Sequence, residues 1–306
     1  MAAGAPILVT GGAGQLASSL HALARARGVP VSRVGRPDFD FDRPESIEAV
    51  FRVTRPSLVV NAAAYTAVDA AESDAAAADR ANHAGPARLA ALCAAAGVPL
   101  IHVSTDYVFD GRKPAPYVET DPTAPQSVYG ATKLAGEQAV LASGAQAIVM
   151  RTAWVYSATG KNFIRTMLNA AQRIQAQGEG RLRVVADQHG CPTSADDLAD
   201  AILNIATNIL SNGWQPGFGG VVHAAGSGAT TWHGLARATF EAASRHGRPI
   251  PAVDAIATAE YPTPAPRPAN SRLDCTRLEH IFGQKLPPWR DSVDRVVDTL
   301  LGATVS

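Results

Sequence analysis

The chain opens with APILVTGGAGQLASSLHALARARG, an apolar run that breaks at a glycine turn and continues into a helical repeat. No other stretch restricts the fold as much. Ile7 to Thr10 read as a short buried strand, and Leu16, Leu20 and Leu23 recur at helical spacing, so that face packs on the sheet. Gly11 and Gly14 let the backbone turn tightly and approach a pyrophosphate, with Ala17 in place of a third glycine. The helix that follows presents unpaired N–H groups and its positive dipole end to the phosphates. Strand, glycine turn and helix in this order predict dinucleotide binding, with Gly11, Gly14, Gln15 and Leu16 against the cofactor.

Further along, the runs ILVT, VSRV, SLVVN, LIHVS and AIVMR alternate with helical or alanine-rich stretches, as a βαβ series requires. The fold class expected is α/β, a doubly wound parallel (Rossmann) sheet with a smaller carboxyl-terminal lobe. Residues 69–97 are rich in alanine and read as a crossover helix with a break near Asn82. After Arg151 the alternation weakens, which predicts a dinucleotide-binding domain over residues 1–155 and a substrate lobe over 156–306. Residues 194–226 are expected to return to the main sheet, because GGVVHAAG at 219–226 reads as a buried strand after helical ADDLADAILNIATNIL.

At 306 residues the chain can bury a large core, and 46% hydrophobic residues fit a globular protein. Lysine plus arginine and aspartate plus glutamate stand at 27 each, so no net field favours nucleic acid or an anionic membrane. A small-molecule partner is expected instead. Cys93, Cys191 and Cys275 form neither a C-x-x-C pair nor an even disulfide framework, and they read as small buried residues in a reducing compartment. The start has no basic n-region with a cleavage site, and no apolar run reaches spanning length, so a soluble cytoplasmic protein is expected.

Two segments carry chemistry. In YGATKLAGE, residues 129–137, Tyr129 and Lys133 lie four apart on one helix face. A phenol is a weak acid near neutrality, and a neighbouring ammonium favours its ionised form, so the pair is suited to proton transfer. In PLIHVSTDYVFDG, residues 99–111, an apolar run ends in hydroxyl and carboxyl groups where a parallel sheet opens onto its ligand crevice. Thr105 is the catalytic candidate there, while Ser104 and Asp110 read as backbone and turn partners. Cofactor choice turns on the end of the second strand, where VSRV leads into GRPDFDFD without a terminal carboxylate. Arg36 in that place suits the extra phosphate of NADP, which predicts NADPH with NADH as a second donor. Asp40 and Phe41 flank the adenine, and Ala62, Ala63 and Ala64, with Tyr65 beyond, let the backbone approach the cofactor. His102, His189 and His223 lack metal-ligand spacing and are given no role.

The segments TGGAGQLA, NAAAYTAVDAAE, STDYVFDG, YGATKLAGE, RTAWVYS and YPTPAPRPANSRLD together resemble the extended short-chain dehydrogenase/reductases. Within them the chain resembles the dTDP-4-dehydrorhamnose reductase family, from about Ile7 to the helix after Trp289. The resemblance implies reduction of the 4-keto group of a dTDP-linked 6-deoxysugar to give dTDP-L-rhamnose, with Thr105, Tyr129 and Lys133 as the catalytic set. It implies that Lys133 lowers the tyrosine pKa and also holds the nicotinamide ribose. It further implies that Val68, Asp69, Thr105, Asp106, Tyr107 and Trp154 line the sugar-nucleotide site, and that Arg267 and Asn270 reach the diphosphate or sugar hydroxyls. A homodimer is a further implication. Some members hold magnesium between subunits through glutamates, but Ser19 stands where the first helix would need one, so no metal ligands are assigned. Two rival readings share the glycine turn and the Tyr/Lys pair. One is a nucleotide-sugar epimerase that recycles its hydride, and the other a silent regulatory subunit resembling the methionine adenosyltransferase beta subunit.

Overall fold

The computed structural model describes residues 4–177 and 180–302. Six parallel strands form the central sheet, in the order Gly220–His223, β5 (Ala147–Thr152), β4 (Leu100–Thr105), β3 (Leu58–Asn61), β1 (Ile7–Thr10) and β2 (Val31–Val34). Strand periodicity decides which side chains meet which layer. Ile7, Val9, Leu58, Val60, Ile148 and Met150 enter one cluster with α1 (Gln15–Ala26) and the helix Ala195–Asn212. The alternate residues Leu8, Val59, Ala147 and Val149 enter a second cluster with α2 (Pro44–Thr54) and the helix Gly85–Ala96. Because both faces are covered, the strands read as continuous apolar runs. Gly220–His223 lies beside β5 in register Val221 to Val149, so a strand from far along the chain completes the sheet. The chain leaves β1 toward β2 and then returns to β3 on the other side, which creates the crevice where this class of sheet binds ligands.

Beyond β5 lie short strands and several helices, and three of these, Phe163–Gln177, Trp232–Ser244 and Trp289–Gly302, share a core. They pack around Tyr156, Leu235, Val293 and Val297. Among the described residues no helix is long and apolar enough to cross a membrane.

The alanine-rich crossover is broken, as its sequence suggests near Asn82, but the break is a wound turn and not an interruption. Helices Ala75–Asp79 and Gly85–Ala96 are joined through a π-helical segment, Arg80–Ala84. That wider turn leaves the Asn82 amide fully buried between the Tyr65 loop and the helix bearing Thr132. It accepts from the Tyr65 N–H at 2.8 Å, and donates to the Tyr65 carbonyl at 3.1 Å and to Thr132 Oγ1 at 3.2 Å.

His102 and His223 are fully buried. His102 meets the Asn61 amide at 2.9 Å, and Thr10 donates to the same Asn61 at 2.6 Å, so one polar thread ties β1, β3 and β4. Burial, followed by the Lys133 charge, holds the His102 pKa well below its ordinary value. Burial and then Arg151 bring His223 from 6.5 to about 4. Both are neutral in the folded chain and become charged on unfolding, so their stabilising contribution is complete above pH 6.5 and is lost as pH falls toward 4. The His223 part is on the order of 3 kcal/mol. Melting temperature is therefore expected to drop steeply between about pH 6.5 and pH 4.5. In His223→Gln that slope should be shallower, whatever the absolute stability; an equal slope would remove His223 as its source.

Candidate active site

Loops from the carboxyl ends of five strands meet in one cleft of about 750 Å³. Gly11 to Ala17 follow β1, Gly35 to Asp42 follow β2, Ala62 to Val68 follow β3, Ser104 to Tyr107 span the end of β4 and Thr152 to Val155 the end of β5; Lys161 and Trp232 enter from later in the chain.

At the first loop Gly11 has φ +109°, and a Cβ there would stand 3.0 Å from the Ala62 carbonyl. A Cβ on Gly35 would meet Gly12 Cα at 2.5 Å. The ends of the first three strands therefore touch backbone to backbone, a shape only glycine allows. Gly14 is the N-cap of α1 and has no side chain to occupy the free N–H groups, which fits a cofactor phosphate. The Arg36 side chain is 74% exposed and lies 3.9 Å from Asp40, so the guanidinium can turn toward an added phosphate. Phe41 packs under Gly85, where any Cβ would strike its ring at 2.3 Å. These features fit a dinucleotide with a ribose phosphate.

The helix Val128–Ala142 carries Tyr129 and Lys133. Ser127 caps it by accepting from the Gly130 N–H at 3.1 Å, and Glu72 accepts from the Val128 N–H at 2.9 Å. Gly130 presses on the Tyr107 carbonyl, where a Cβ would come within 2.3 Å. The two tyrosine rings then meet edge to face, centroids 5.4 Å apart. Gly136 abuts the Asn82 carbonyl in the same way, at 2.0 Å. Close packing at two glycines thus fixes the helix against β4 and the Asn82 turn.

Electrostatics in the cleft follow from burial. The Tyr129 phenol is pushed up to about 12 by burial, partly opposed by a hydrogen bond with Thr105 and reinforced by the Asp106 charge. The sequence expectation that Lys133 lowers this value is corrected. The Lys133 amine donates to the Val103 carbonyl at 2.7 Å, and burial brings its own pKa down to about 8, with Glu137 opposing. Tyr129 is therefore a firmly protonated acid before any ligand enters. Thr105 Oγ1 donates to Asp106 Oδ1 at 3.0 Å and accepts from the Tyr107 N–H at 3.2 Å. Burial raises Asp106 to about 6, partly opposed by the Ser271 and Thr105 hydroxyls.

The cleft gathers Gly11, Gly14, Gln15, Leu16, Arg36, Asp40, Phe41, Ala62, Ala63, Ala64, Val68, Thr105, Asp106, Tyr107, Tyr129, Lys133 and Trp154. Tyr65 stands behind this wall, packed near Tyr129. Three expected residues are engaged elsewhere. Asp69 accepts from Arg267 Nη2 at 2.7 Å and from the Ala265 N–H at 3.2 Å, so the two are paired with one another in the ligand-free chain. Asn270 is buried and donates to the Lys113 and Ala115 carbonyls at 2.6 and 2.9 Å while accepting from Arg272; it fastens the loop at 113–115. Asp110 accepts from the Tyr117 hydroxyl at 2.6 Å and the Arg112 N–H at 3.0 Å, which is turn chemistry. Sequence reasoning did not single out Thr66, Thr152, Lys161 or Trp232. Of these only Trp232 had a usable signal, an aromatic just inside a helix start capped by Thr231.

A family model described as the RmlD substrate binding domain matches residues 5–301. A dTDP-4-dehydrorhamnose reductase of Sinorhizobium fredii is 46% identical over 296 residues, covering 96% of this chain and 97% of that protein. A crystal structure of a dTDP-4-dehydrorhamnose reductase from Clostridium acetobutylicum superposes with TM-score 0.86 at 34% identity, over 96% of this chain and 99% of that one. One from Bacillus anthracis, solved in complex with NADP, gives TM-score 0.85 at 29% identity, over 95% and 98%. With glycine turn, buried phenol and full-length similarity all in agreement, the chain belongs to the dTDP-4-dehydrorhamnose reductase family.

Proposed function

We infer that this chain reduces the 4-keto group of dTDP-4-dehydro-6-deoxy-L-mannose to dTDP-L-rhamnose with NADPH, a step of nucleotide-sugar biosynthesis. The observation that carries the reading is a protonated, buried Tyr129 beside Thr105 in the cleft that the glycine turn opens, within a chain so similar to named reductases. Bound there, NADPH supplies the hydride. Thr105 donates a hydrogen bond to the keto oxygen, and Tyr129 gives that oxygen its proton as charge grows on it. Lys133 holds the nicotinamide ribose hydroxyls once it turns from the Val103 carbonyl, and its ammonium then supports the phenolate left behind. Val68, Asp106, Tyr107 and Trp154 form the sugar side of the cleft, and Arg36 receives the ribose phosphate.

In this reading residues 1–155, with 194–226 returning to the sheet, hold the cofactor, and the remainder closes over the sugar nucleotide. The protein is proposed to be a cytoplasmic homodimer, which light scattering on the purified chain would decide. The reaction itself is tested by following loss of reduced-nicotinamide absorbance with the keto sugar and either NADPH or NADH. Consumption with NADPH favoured over NADH is expected. A protein that retains NAD on purification and consumes neither would be an epimerase. Co-purification with a large synthetase and no consumption would mark a regulatory subunit.

A further inference from the structure

At the sugar end of the cleft Trp154 has φ +50°, one of two non-glycine residues with positive φ among those described. A bulky residue rarely adopts that backbone, so surrounding contacts must hold it there. One contact is Gly190, where a Cβ would strike the indole at 2.3 Å. The larger one is Trp232, whose ring lies parallel to Trp154 at 9° with centroids 3.6 Å apart. Both rings border the cleft.

Trp232 is itself tethered. Its Nε1–H donates to Gln188 Oε1 at 3.1 Å, and Gln188 Nε2 donates to Thr258 Oγ1 at 3.0 Å. Thr258 in turn donates its hydroxyl to Asp187 at 2.6 Å. Phe163 packs on the Trp232 ring with centroids 4.8 Å apart. Gln188 is buried and has both ends of its amide in use, so the indole N–H has one direction in which to point. The Trp154 indole is thus clamped between Gly190 on one face and the Trp232 ring on the other, so what it offers the cleft is an edge whose attitude Trp232 sets.

We propose that Trp232, oriented by Gln188, is a positioning residue that holds the exposed edge of Trp154 in place against the sugar nucleotide. The proposal rests on the reductase reading, since the ligand is the one assigned above. It requires that Trp232 act on binding of the sugar nucleotide and not on the cofactor or the proton step.

The test compares Trp232→Leu, Trp232→Phe and Gln188→Leu in the full chain. Trp232→Leu should raise KM for the keto sugar about tenfold, with kcat changed less than about threefold and NADPH affinity within about twofold. Trp232→Phe should regain most of the loss, and Gln188→Leu should show the same pattern more weakly. A folded Trp232→Leu with unchanged KM, or with NADPH affinity falling in parallel, overturns the proposal; if that variant does not fold, Gln188→Leu decides in the same terms. A structural readout separates this outcome from failure of the reductase reading. The chain has four tryptophans, so protein labelled with ¹⁵N-tryptophan gives four indole signals. In ligand-free Gln188→Leu and Trp232→Phe the Trp154 signal should move, and a Trp154 signal unmoved in both overturns the proposal even if wild-type protein turns over no keto sugar. Wild type without reductase activity, by contrast, removes the reading on which the ligand depends.

Discussion

Replacing Tyr129 by phenylalanine is expected to lower kcat by a factor of about 100 to 10,000, the usual worth of a positioned general acid. The substitution removes one oxygen from a ring held edge to face against Tyr107, so the packing that fixes the helix is kept. NADPH affinity, read by quenching of protein fluorescence, should stay within about twofold, and the melting temperature should hardly move. Because burial keeps the phenol near 12, wild-type turnover should show no loss of this acid through the neutral range. Turnover of the phenylalanine variant within about tenfold of wild type would sink the role of Tyr129.

The second large effect is expected at Lys133. Methionine fills a similar volume but carries neither charge nor donor, so Lys133→Met should lose about 100-fold or more in kcat. It should also weaken NADPH binding, which separates it from Tyr129→Phe. The variant should still fold. At neutral pH burying the ammonium opposes folding, because its pKa of about 8 lies below the ordinary value of 10.5, and removing it offsets the Val103 carbonyl left without a donor. The same shift gives a pH signature. In the free enzyme the ammonium loses its proton as pH rises through about 8, so kcat/KM for NADPH should fall there by about tenfold per pH unit. Lys133→Met should lack that limb, and a limb that persists in it belongs to another group.

What could be read from residues alone follows a physical boundary. The glycine turn, the strand ends and the helix bearing Tyr129 and Lys133 are local, set by spacing and turn chemistry within a few residues of one another. The apolar run at 219–226 announced a buried strand for the same reason. The Asp69–Arg267 pair joins residues 198 apart in the chain, so that they meet was not legible from either neighbourhood. That the Asn270 amide fastens the loop at 113–115 was likewise hidden, since an amide that holds a loop and one that binds a sugar have the same composition. The pairing of Trp154 with Trp232 left no trace in either neighbourhood. The rise of the Tyr129 pKa was also hidden, because burial is a property of the packed cleft and spacing reports only proximity to Lys133.

The Asn82 amide bears on how this protein can be altered. One side chain grips the Tyr65 backbone, next to Ala62 to Ala64, and the hydroxyl of Thr132, which adjoins Lys133. The 62–65 loop and the helix Val128–Ala142 are therefore mechanically one part. An engineer who reshapes that loop will also tilt Tyr129, unless the crossover turn at 80–84 is redesigned with it.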